Sequence, residues 1–126
     1  MRFLTVQEVL EAHAATLRRH GGASGIRDTG LLDSAVHMAQ AMYGGEFLHP
    51  GLFDMAAAYL FHLVLNHPFI DGNKRCGWLA ARVFLRMNGV ALSVSRGEAV
   101  RLVTRLADGK VRDWREISES FAKRSR

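Results

Sequence analysis

The chain has 126 residues, 48% of them hydrophobic, 23% charged and 9% aromatic, a composition expected of one globular domain spanning residues 1–126. A chain this long buries roughly two thirds of the surface it exposes when unfolded, so its core needs no metal, and the lone Cys76 excludes an internal disulfide framework. No arginine-led apolar leader opens the sequence, and the longest uncharged run, Met55 to Ile70, is 16 residues, too short for a membrane span; a cytoplasmic protein is expected.

Thr5 and Glu8 make a capping-box pattern that opens a helix through Val9, Leu10, Ala14 and Leu17 and stops at Gly21, Gly22 and Gly25. A second helix, capped by Asp28 or Thr29, carries Leu31, Leu32, Ala35, Val36, Ala39 and Met42 and is predicted to end before Gly44-Gly45, with residues 43–52 as a loop. From Phe53 to Asn66 nearly every position is apolar or small, which predicts a buried central helix ended by Pro68. Helix resumes near Asn73 and runs through Trp78, Phe84 and Leu85 to Asn88-Gly89, followed by at most a short extended piece, Val90 to Val94.

Ser95 and Glu98 form another capping-box pattern, and Asp113 opens the last helix, whose basic tail Lys123-Arg124-Ser125-Arg126 is predicted to fray. Six helices and no convincing strand pair predict an all-α bundle around residues 53–66. Charge is uneven: residues 1–72 hold 4 basic and 7 acidic side chains, whereas residues 73–126 hold 13 and 5. Such a basic second half attracts phosphates, nucleic acid or an acidic protein through its summed field.

One stretch concentrates chemistry: His67-Pro68-Phe69-Ile70-Asp71-Gly72-Asn73-Lys74-Arg75. A helix starting near Asn73 leaves its first N–H groups unbonded and adds partial positive charge, which makes an anion site. Gly72 lets backbone approach a phosphate without a Cβ in the way, and Lys74 and Arg75 add full charges. Asp71 would repel phosphate unless a divalent cation sat between them, and Mg²⁺ is commonly held in that way. Histidine is the side chain best suited to proton transfer near neutral pH, so His67 suits a general base toward an incoming hydroxyl. The same residues also fit a plain turn in which Asp71 or Asn73 caps the next helix and His67 ends the previous one.

The nine residues closely resemble the signature of the Fic/Doc superfamily, and Asn73-Lys74-Arg75 with the Gly25-Ile26-Arg27-Asp28 segment resembles its death-on-curing branch of bacterial toxins. The resemblance implies that His67 is the catalytic base, Asp71 the Mg²⁺ and phosphate-orienting acid, Gly72 and Asn73 an anion hole, and Arg75 a phosphate-binding arginine. Lys74 stands where adenylylating Fic enzymes usually carry glycine, which implies transfer of the γ-phosphate of ATP rather than of AMP. Pro68 and Gly72 are Fic-like departures from the Doc pattern, so AMP transfer is the alternative. The family's target, by this resemblance, is elongation factor Tu, whose modification stops translation, and residues 43–52 lie where the family has its docking flap.

No Ser or Thr is followed four residues later by Glu, so the inhibitory helix pattern of many Fic enzymes is missing. The resemblance therefore implies restraint in trans by a Phd-like antitoxin with a disordered tail. Any DNA contact is expected to come from that antitoxin, although a DNA-binding or corepressor role for the basic half and a purely binding role are the rivals. His62 reads as a core histidine, and His13, His20, His37 and His49 show no zinc-ligand spacing. Cys76 reads as buried packing despite its place near a helix start, and Trp78 and Trp114 as helix packing.

Overall fold

In the computed structural model, which describes residues 1–125, the centre is occupied by α3 (Leu52–Asn66), buried at Met55–Leu60, Leu63 and Val64. Around it pack α2 (Thr29–His37), α4 (Asn73–Met87), α5 (Arg96–Ala107) and α6 (Trp114–Lys123), while α1 (Val6–His20) lies against α4 and α2. The central helix is the one apolar all round, as burial on every face requires. Among the described residues no helix is long and apolar enough to cross a membrane.

The caps follow the side chains. Thr5 accepts from Glu8 N while Glu8 reaches back to Thr5 N, Asp28 caps α2 through Leu31 N, Ser95 caps α5 through Glu98 N, and Asp113 caps α6 through Arg115 N. The start of the chain is tied to the core by Leu4 N, which donates to the Tyr59 hydroxyl at 2.9 Å, and burial pushes that phenol up to about 12.

Two helices, α3 and α4, approach to backbone contact. A Cβ at Gly77 would lie 3.1 Å from Val64 Cγ2, 3.3 Å from Leu60 Cδ1 and 3.4 Å from the Leu60 carbonyl. Ala80, Ala81, Phe84 and Leu85 of α4 are buried beyond it. This seam fixes where the loop between the two helices begins and ends.

Three expectations are corrected. The second helix stops at His37 rather than at Met42; a 3-10 turn, Met38–Gln40, leads into a hairpin of β1 (Met42–Tyr43) and β2 (Glu46–Phe47), with Met42 opposite Phe47 and Tyr43 opposite Glu46. Gly44 and Gly45, at φ 60 and 81, supply the two positive-φ positions of the tightest hairpin turn, and this outweighs helical continuation. Secondly, α4 is capped by Gly72 in the left-handed region without a side-chain bond, because the Asp71 and Asn73 side chains are engaged elsewhere.

Thirdly, the tail through Ser125 is held rather than frayed. Arg124 pairs with Glu98, Ser93 N donates to the Arg124 carbonyl at 2.7 Å, and Leu92 bridges Ser125, so the short extended piece after α4 is where the tail docks. Arg126 lies outside the described residues.

Candidate active site

The loop between α3 and α4 carries His67, Asp71 and Gly72, and the first turn of α4 carries Asn73, Lys74 and Arg75. His67 is exposed and ends α3 at φ 51 and ψ 53, the only positive-φ residue other than glycine among the described residues. Pro68 cannot continue the helix and, with Phe69, turns inward; both are buried. Ile70 and Asp71 return to the surface, and Gly72 at φ 80 reverses the chain into α4.

Asn73 is buried and brackets the loop. Its Oδ1 accepts from Phe69 N at 2.9 Å and its Nδ2 donates to the Phe69 carbonyl at 3.0 Å. The first N–H of α4 to bond backward is that of Cys76, to the Gly72 carbonyl, so the N–H groups of Asn73, Lys74 and Arg75 find no acceptor among the described residues. Those three donors lie at the positive end of the α4 dipole. Lys74 and Arg75 are exposed, and neither is paired with a carboxylate among the described residues.

Asp71 is oriented by backbone. Its Oδ1 accepts from Gly72 N at 2.8 Å and its Oδ2 from Ala23 N at 3.2 Å. A carboxylate has about four acceptor directions, so each oxygen keeps one for a cation. No three His, Cys, Asp or Glu side chains among the described residues converge on a metal position. A magnesium ion held here fits only with Asp71 as the single protein carboxylate and phosphate oxygens and water as the remaining ligands, which is the ordinary way Mg²⁺ is held.

Two supports came from outside the loop and were missed in the sequence. On α1, His13 is buried, stacks on Phe69 with centroids 3.7 Å apart, and donates from Nε2 to the Asp71 carbonyl at 2.7 Å; a carbonyl only accepts, so Nε2 carries the proton. Its signal was its place on the buried stripe Val9, His13, Thr16 at helical spacing. The glycine loop after α1, expected only to end the first helix, wraps the same segment: Ile70 N donates to the Gly25 carbonyl at 3.1 Å, Ile26 bridges Phe69, and the Arg27 guanidinium reaches the end of α3. A Cβ at Gly22 would meet Asp71 Oδ2 at 2.8 Å, so a side chain there would displace the carboxylate.

Positive charge gathers beside the loop. His20, exposed at the end of α1, is held below its ordinary pKa by partial desolvation first and then by the guanidinium groups of Arg75, Arg19 and Arg96. Cys76 is inert by comparison: it is buried, and burial pushes its thiol up to about 12. His62 lies apart from the loop, between Phe61 and His49, and burial together with His49 lowers it to about 4. An open cavity of about 880 Å³ lies between the hairpin and α6, against Phe47, Leu48, Asp54 and Trp114, and no residue from 67 to 75 lines it. The cation on that cavity's lining, Arg115, is paired with Asp113 at 3.2 Å, whereas Lys74 and Arg75 beside the loop have no carboxylate partner among the described residues.

The sequence model of the Fic/DOC family matches residues 3–85, more than half of the chain and inclusive of the whole loop. A protein named Toxin Doc from Mycolicibacterium smegmatis is 45% identical over 91 residues, 72% of this chain and 68% of that one. One named Protein kinase doc from Escherichia phage P1 is 36% identical over 90 residues, 71% of each. By family match, by these relatives and by the loop itself, the chain belongs to the Fic/DOC family.

Proposed function

We propose that this chain is a Doc-type toxin that transfers the γ-phosphate of ATP to a hydroxyl of a translation factor and so stops protein synthesis. The observation that carries the reading is one loop that presents an exposed imidazole, a carboxylate fixed by two amides, and three unbonded helix amides flanked by Lys74 and Arg75.

In this reading His67 takes the proton of the target hydroxyl as its oxygen attacks the γ-phosphorus. The bond from that phosphorus to the β–γ bridging oxygen breaks, ADP leaves, and the proton on His67 is later lost to solvent. The N–H groups of Asn73, Lys74 and Arg75 receive phosphate oxygens, with the two cationic side chains adding charge. Asn73 contributes through its N–H, because its amide side chain is committed to Phe69. Gly72 keeps the approach clear of a Cβ. Asp71 would hold Mg²⁺, which when bound neutralises phosphate charge.

A relative named as a kinase and the lysine at position 74 support γ-phosphate transfer. A relative named as a toxin supports an antitoxin partner, Phd-like by the family resemblance. Arg75 lacks an internal carboxylate among the described residues, which suits restraint by an acidic segment supplied in trans. Elongation factor Tu is the target that the family resemblance favours. Transfer of AMP is the second reading, favoured by Pro68 and Gly72.

The test is incubation of the purified protein with Mg²⁺ and a translating bacterial extract, with ATP labelled in parallel at the α or the γ phosphate. Label from γ alone on a band the size of elongation factor Tu supports the proposal, and on another band it replaces the target. Label from α selects AMP transfer. No label from either, with folded protein, rejects both.

A further inference from the structure

Arg27 donates to three consecutive carbonyls at the end of the central helix. Its Nη2 reaches Asn66 O at 2.9 Å, its Nε reaches His67 O at 2.6 Å, and its own backbone N reaches Pro68 O at 2.7 Å. Asp28 N adds a second bond to Pro68 O at 3.1 Å, and Asn66 Nδ2 donates back to Leu31 O of α2 at 3.1 Å. One residue from another segment thus fixes the peptide groups on both sides of His67.

We propose that Arg27 is a positioning residue that holds the His67 backbone in its left-handed conformation and thereby aims the imidazole. The inference rests on the assignment of His67 as the base.

A non-glycine residue pays a steric penalty at φ 51, from Cβ against its own carbonyl oxygen. Pro68 further disfavours the right-handed helical region at His67, so a released His67 relaxes toward extended backbone. That relaxation rotates the Cα–Cβ bond and moves the ring. The carbonyls that Arg27 engages are those a helix leaves unpaired at its C-terminus, and a guanidinium fork suits two of them at once. Arg27 is exposed and has no carboxylate partner among the described residues, so its side-chain bonds are directed at this turn. A displacement of about 1 Å in a reacting group costs on the order of 100-fold in rate.

The experiment compares wild type, Arg27→Ala, Arg27→Lys and His67→Ala for γ-label transfer at varied ATP concentration, per folded molecule as judged by circular dichroism. It also follows the His67 imidazole carbon-bound proton by NMR, assigned through its loss in His67→Ala. Arg27→Ala is expected to lower the maximal rate roughly 10- to 100-fold with the half-saturating ATP concentration within about twofold, and to shift the His67 resonance. Arg27→Lys, which keeps the charge and the backbone bond but lacks the fork, is expected to remain impaired, with the pH profile unmoved.

A rate equal to wild type in Arg27→Ala beside a dead His67→Ala overturns the inference and leaves the base standing. Full transfer by His67→Ala overturns both. A lowered melting temperature with normal rate and an unshifted His67 resonance makes Arg27 a helix staple only and overturns the positioning role. Should Arg27→Ala not fold, Arg27→Gln, with one amide donor in place of the fork, carries the same comparison.

Discussion

The ring of His13 and the backbone of Asp71 are joined across 58 residues of sequence: Nε2 donates to the Asp71 carbonyl at 2.7 Å while the ring lies parallel to Phe69. The two contacts separate by substitution. His13→Phe keeps an aromatic surface on Phe69 and removes the donor, and is expected to cost about 1 kcal/mol in urea unfolding and to lower γ-label transfer about tenfold. Transfer at the wild-type rate by this variant would show that the hydrogen bond does not orient the loop.

His67 makes a different demand, because its backbone conformation suits glycine and its exposed side chain makes no hydrogen bond among the described residues. His67→Ala and His67→Gly are both expected to abolish transfer and remain folded. Glycine adopts positive φ without penalty, so His67→Gly should be about 1 kcal/mol more stable than His67→Ala, a rise of a few degrees in melting temperature. A melted His67→Ala would favour a structural role for the residue.

Gly22 and Gly21 are a matched pair. Both sit at positive φ, but a Cβ at Gly21 meets nothing within 4 Å while one at Gly22 meets Asp71 Oδ2 at 2.8 Å. Each change to alanine is expected to cost about 1 kcal/mol in stability. Only Gly22→Ala should reduce transfer, by tenfold or more, with a higher Mg²⁺ requirement. Equal activity in the two variants would detach Asp71 from the loop after α1.

His62 sets an acid limit on stability. Its folded pKa is about 4 and its ordinary value 6.5, so between these the unfolded chain binds the extra proton. The contribution is complete above pH 6.5, falls as pH is lowered toward 4, and is flat below. With allowance for partial exposure, about 2 kcal/mol should be lost between pH 7 and pH 4, and His62→Leu should flatten that slope. Chemical denaturation at closely spaced pH values checks it; an unchanged slope in the variant assigns the acid limit elsewhere, with His49, also lowered by burial, the first to examine.

Local rules made much of this legible in the sequence. Thr5, Ser95 and Asp113 cap the helices they announced, the apolar run from Phe53 marks the buried helix, and His67 to Arg75 marks the loop. What stayed hidden depends on contacts between distant segments. Nothing local to Asn73 says that its amide turns back to Phe69 rather than toward a ligand, and nothing local to His13 or Arg27 says that each ends on the same loop. The hairpin was missed for a nearer reason: Ala39 and Met42 continue a helical apolar period, while the decisive preference lies in the backbone of Gly44 and Gly45.

The span of the loop from His67 to Gly72 is gauged by a hydrogen atom. Gly77 lets α4 lie on the Leu60 carbonyl and the Val64 side chain, about two turns and one turn before α3 reaches His67, and itself stands five residues after Gly72. The separation of the two loop ends is thus fixed in the core, by a residue with no side chain to offer any ligand. A methyl group at Gly77 would act as a shim between the helices, and its effect would surface as a change in the distance that six residues must bridge.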